Sequence, residues 1–165
     1  MTTGSKSAIV LAVAAVCASD SLSRAQEPTV PADFELRINA NCPSDSFDTK
    51  SGVFLRLVAG GYEASAKVPM APDTVRHLVR LVADAQLFEY PTVFVPPDWD
   101  GPLISPYTTY HIWVRAGGRT HTIQWGARAA RTIEARRLFA FVRAAYDVFR
   151  TDDRVKALPP PVPCE

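Results

Sequence analysis

Residues 107–125 read YTTYHIWVRAGGRTHTIQW. On both sides of Gly117 and Gly118 apolar and polar residues alternate with period 2, the pattern of a half-buried strand, and two glycines accept the positive φ of a two-residue hairpin turn. The stretch is a β-hairpin with strands over 107–116 and 119–125. Tyr110, Ile112, Val114, Ile123 and Trp125 take its apolar face; His111, Trp113, Arg115, Thr120, Thr122 and Gln124 take the other. In this register His111 lies opposite Gln124 and His121 opposite Val114. The same Ala-Gly-Gly triplet recurs at 59–61 between alternating runs at 53–58 and 62–68. With a two-residue turn there as well, Val53, Leu55 and Leu57 share the apolar face with Ala64, Ala66 and Val68. Phe54, Arg56, Val58, Glu63, Ser65 and Lys67 fill the mostly polar face.

After each hairpin the period changes to 3.6. Val75, Leu78, Val79 and Val82 predict an amphipathic helix over 72–86, with Pro72 suited to its first turn and Asp73 at the positive end of its dipole. Leu138, Phe141, Val142, Ala145 and Phe149 predict a second over 132–149. A short alternation of Phe34, Leu36 and Ile38 with Glu35, Arg37 and Asn39 adds an N-terminal strand. The turn-rich segment that follows it, through residue 52, reads as loop. The predicted class is α+β, an antiparallel sheet of four to five strands in a ββα-ββα arrangement with two helices packed on one face. A proline-rich segment over 88–107 reads as a long loop, in which Phe94, Trp99 and Leu103 either fold back on the core as a lid or serve a partner. The tail KALPPPVPCE, with its prolines, reads as extended chain.

Outside this core, Lys6, the apolar run at 8–18 and a polar stretch ending in Ser23 and Ala25 have the order of a cleavable signal peptide. The run is about half the ~20 residues that a membrane-spanning helix needs. Cleavage before Gln26 is preferred, with a second site after Ala18. Residues 1–25 are then the signal and 26–165 one domain, divided into an N-terminal strand and loop (26–52), the core (53–150) and a proline-rich tail (151–165). Lipid attachment at Cys17 is disfavoured because Val16, not a small residue, precedes it. The expected destination is periplasmic or extracellular, with no transmembrane segment after cleavage. Removing the signal leaves two of the three cysteines, Cys42 and Cys164, and an oxidising compartment predicts a disulfide between them. It would close a loop of over a hundred residues, for which the chain-entropy account gives about 5 kcal/mol as an upper figure. Abundant alanine and an excess of arginine over lysine suggest a GC-rich bacterial source.

A formal charge of +1 argues against a nucleic-acid binder. His111 and His121 fall on opposite faces of their hairpin and His77 lacks a partner one turn on, so no metal site is expected. There is no G-x-S-x-G elbow or phosphate-binding glycine loop, and no cofactor is implied. The residues best suited to a partner are His111, Trp113 and Arg115 on the polar face of the second hairpin, with Asp98, Trp99 and Asp100 in the long loop. We therefore expect a non-enzymatic binding or interaction module whose partner is another secreted or envelope protein. The open alternatives are a secreted protease inhibitor, a small envelope-associated structural protein and an enzyme whose polar groups meet only in the fold.

Three segments, the Gly60-Gly61-Tyr62 turn, the helix VRHLVRLVADAQLF (75–88) and YHIWVRAGGRTHTI (110–123), resemble the emfourin type of small bacterial protein. The resemblance spans residues 53 to about 149 and implies inhibition of thermolysin-like metalloproteases; no inhibitory residue carries over from it. The chain also resembles secreted bacterial proteins of undefined role that end in a helix and a Leu-Pro-rich tail.

Overall fold

The computed structural model describes residues 29–96, 108–126 and 132–163. Its strands are β1 (Glu35–Ala40), β2 (Asp45–Asp48), β3 (Val53–Val58), β4 (Tyr62–Lys67), β5 (Val93–Phe94), β6 (Thr109–Ala116) and β7 (Arg119–Gly126). The helices are α1 (Pro72–Asp84), α2 (Ile133–Arg150) and α3 (Asp153–Lys156). The strands form one seven-stranded sheet in the order β4-β3-β2-β1-β6-β7-β5. Every neighbouring pair is antiparallel except β5 with β7, which is parallel. The α+β class stands, but the sheet is larger than four to five strands and is mixed. The two hairpins are also not adjacent units, because β2 and β1 lie between them.

The extra strands come from segments read as loop. In β2, DSFD, two aspartates and a serine are poor strand formers, yet the strand is flanked on both sides, Phe47 facing Ile38 and Phe54. Asp45 and Phe47 are buried on its inner side. Tertiary pairing overrides propensity there. β5 is two residues on the sheet edge, where Phe94 is buried edge-on against Tyr90 at 5.1 Å. Trp99 and Leu103, the other proposed members of a lid, lie outside the described residues.

The β6–β7 turn has the expected length. Ala116 pairs with Arg119, and Gly117 and Gly118 have φ of 59° and 74°. At the other triplet the expectation fails. Val58 pairs with Tyr62, so the turn is the three residues Ala59, Gly60 and Gly61. One additional residue in a turn shifts the pairing parity and sends every β4 side chain to the other face. Phe54, Arg56 and Val58 therefore share the helix side with Tyr62, Ala64 and Ala66, and Phe54 is fully buried. Val53, Leu55 and Leu57 take the opposite side with Lys67, Ser65 and Glu63.

The buried apolar residues of the sheet point to one side. Leu36, Ile38, Phe47, Phe54, Ile112, Val114, Ile123 and Trp125 meet Leu78 and Val82 of α1 and Leu138, Phe141, Val142 and Phe149 of α2 in one core. Phe47 stacks on Phe149 at 4.1 Å. Helix α2 begins at Thr132, whose hydroxyl accepts the Ala135 N–H at 3.1 Å. Such a cap supplies about 1 kcal/mol. Helix α1 ends at Asp84, just before Gln86 turns left-handed at φ 54°. Tyr90 then ties the following segment to α2, donating its hydroxyl to the Glu134 carbonyl at 2.8 Å. The short α3 follows α2 and buries Val155. The tail returns to the sheet: Pro161 bridges Val58, and Val162 N–H donates to the Leu57 carbonyl at 3.1 Å. No helix among the described residues is long and apolar enough to cross a membrane.

Candidate functional site

With every described helix on one side, the other face of the sheet carries no helix among the described residues. β6 projects His111, Trp113 and Arg115 onto it, and β1 pairs these with Asn39, Arg37 and Glu35. Next to β1, β2 contributes Ser46 and Asp48, and beyond it β3 contributes Val53, Leu55 and Leu57. The face thus carries a half-buried tryptophan and, three strand spacings or about 14 Å away, a half-buried aliphatic row. Pairing of β3 with β2 sets that row on this face, Leu55 facing Ser46 and Val53 facing Asp48. Asn39, Ser46, Leu55 and Leu57 are among the residues lining a shallow depression of about 290 Å³ beside it.

The charges around Trp113 on this face are paired with one another. Arg37 reaches Glu35 at 3.4 Å and Asp48 at 3.2 Å, with its guanidinium carbon 4.8 Å from the centre of the Trp113 ring. Lys50 holds Glu35 at 2.7 Å. The Lys50 ammonium keeps the Glu35 carboxyl below its ordinary range, against a smaller opposing effect of desolvation. Arg115 lies 3.6 Å from Asp33. The Asp33 carboxylate also accepts the N–H groups of Gly117 and Gly118, each at 2.8 Å, so it clasps the β6–β7 turn. Those two hydrogen bonds, Gly118 first, lower its pKa. Both carboxylates are thereby held as anions, the opposite of the raised pKa that a general acid requires.

His111, Trp113 and Arg115 therefore share one face, as expected. Asp98, Trp99 and Asp100 lie outside the described residues. His121 is on the helix side, donating Nε2–H to the Tyr90 carbonyl at 2.8 Å, away from His111. Among the described residues no group of three His, Cys, Asp or Glu side chains could hold a metal ion.

On the helix side lies an ionic cluster that sequence reasoning missed. Asp45, 1% exposed, binds Arg56 at 3.0 Å and Arg150 at 3.0 Å. Tyr146 donates its hydroxyl to the Asp45 carbonyl at 2.8 Å, with Arg150 4.7 Å over its ring. Burial raises the Tyr146 pKa far above the ordinary phenol range, so the hydroxyl remains a donor. The cluster fastens the C-terminal turn of α2 to β2 and β3. Its role is structural: the buried Asp45 carboxylate is neutralised by Arg56 and Arg150.

Comparison of the sequence with protein-family models and with curated proteins finds no match. The functional reading therefore rests on the face itself.

Proposed function

We propose that the chain is an exported, non-enzymatic binding module that engages a secreted or envelope protein through the helix-free face of its sheet. One observation carries this reading. The ionic groups of that face around Trp113 satisfy one another, leaving a cation-backed tryptophan and an aliphatic row as its unsatisfied surface. Buried tryptophan and arginine dominate binding energy at protein interfaces, and Arg37 holds the Trp113 ring before any partner arrives. A ring fixed in advance loses less entropy on binding.

Export is supported by the signal-like order of residues 1–25 and by the geometry around Cys42. Cys42 is disulfide-bonded. The tail pairs with Leu57 and Val58, and Leu57 also donates its N–H to the Ser44 carbonyl, two residues from Cys42. Val162 is in turn two residues from Cys164, whose placement lies outside the described residues. The described end of the tail thus lies beside the segment that carries Cys42, which supports a Cys42–Cys164 bridge.

The test is capture of secreted and envelope proteins from the source by the oxidised mature domain, its Trp113→Ala form and its Leu55→Asp form. Wild type should retain a partner that both variants lose while keeping their thermal stability. A partner retained equally by all three would remove the helix-free face from the reading. The emfourin resemblance makes a thermolysin-like metalloprotease the first partner to assay, and full protease activity at saturating domain would end that part of it.

A further inference from the structure

β4 lies at one edge of the sheet, and its outward groups have a pattern suited to strand pairing. β4 has β3 as its only strand neighbour among the described residues, and Glu63, Ser65 and Lys67 are exposed. Backbone polarity decides which of its groups face outward. Leu57 directs its N–H to Ser44 and its C=O to Val162, both on the β2 side. Phe54, Arg56 and Val58 therefore bond β4 through Ala66, Ala64 and Tyr62, and by alternation the N–H and C=O of Glu63, Ser65 and Lys67 point away from the sheet. Val68 N–H, bonded to Gly52 on the inner side, fits the same alternation.

Charge follows the same spacing. Elsewhere on the helix-free face Asp33, Glu35, Arg37, Asp48, Lys50 and Arg115 are paired. Glu63 and Lys67 have no ionic partner among the described residues. They stand two residues either side of Ser65. In an antiparallel pair of β4 strands with a two-fold axis at Ser65, Glu63 of one copy faces Lys67 of the other, twice. These are also the residues whose main-chain groups have no partner among the described residues, so each oppositely charged pair falls on a hydrogen-bonded pair about 5.5 Å apart. On the helix side the same register sets Ala64 against Ala66, small residues that let the strands approach.

We infer that the chain forms a two-fold dimer through β4, joining two seven-stranded sheets into one. Edge strands are commonly guarded by charge against such pairing; here the guarding charges are self-complementary, so they admit this register and oppose a one-pair slip. The two aliphatic rows of β3 would then lie three strand spacings, about 14 Å, apart on one continuous face.

Sedimentation equilibrium of the oxidised mature chain tests this. A surface this small should give a weak dimer, with mass rising over about 10 μM to 1 mM. Lys67→Glu sets Glu against Glu twice and should weaken association about tenfold or more. Combining it with Glu63→Lys restores opposite charges and should return affinity to within about twofold of wild type. Ser65→Pro removes a donor that has no partner among the described residues, so it should abolish the dimer while leaving the thermal transition of the monomer in place. A monomer throughout that range overturns the inference. So does a dimer that survives Lys67→Glu and Ser65→Pro, or one that Trp113→Ala dissociates.

Discussion

Asp45 shows how one residue can hold distant parts of the chain together. It is 1% exposed and answers two arginines, one 11 and the other 105 residues away. Removing one member of a buried ionic group leaves uncompensated charge, at about 3–5 kcal/mol. Arg150 is 42% exposed and can rehydrate, so Asp45→Ala should cost about 3 kcal/mol, the lower end, measured by urea denaturation. Asp33 makes a different prediction. Its folded pKa is lowered, so its contribution is present above the unfolded pKa and is lost as pH falls through the folded one. Stability should drop below about pH 4, and Asp33→Asn should flatten that acid limb. Neither partnership was visible in the sequence, because Asp33 sits in a proline-punctuated arm 84 residues from Gly117. Arg37 beneath Trp113 was hidden for the same reason: it depends on pairing β1 with β6. His111, Trp113 and Arg115, by contrast, were legible as one set, since a two-residue turn fixes their alternation locally.

Among the elements, the two Ala-Gly-Gly turns carry the clearest lesson. Identical triplets close hairpins of different parity: two glycines alone span Ala116 and Arg119, whereas all three residues span Val58 and Tyr62. Deleting Ala59 should force the first hairpin toward the shorter turn and bring Glu63, Ser65 and Lys67 to the core side in place of Ala64 and Ala66. Hydrogen exchange should then show β4 amides unprotected while those of β6 and β7 remain slow. The long helices and the β1 alternation were readable from periodicity because each spans enough residues to repeat. β2 and β5 were not, at four and two residues. Strands that short are held by their neighbours rather than by their own composition.

At the scale of the molecule, the tail and the proposed Cys42–Cys164 bridge act as a clasp across one end of the sheet. Cys164→Ser should lower stability by about 2–4 kcal/mol, with exchange at Val162 rising first. Intact mass before and after reduction and alkylation should report one disulfide and a mature start at Gln26. A second consequence follows from the strand order. β1 is among the first strands to be synthesised, yet one of its two neighbours, β6, lies some seventy residues further along the chain. Closing so long a loop precedes any gain from the pairing, which places folding in the millisecond-to-second range. Until β6 arrives, the first four strands can form only a meander whose β1 edge is bare. The centre of the finished sheet is thus an aggregation-prone boundary of the unfinished one, and a chain cut short before residue 109 would carry that boundary permanently.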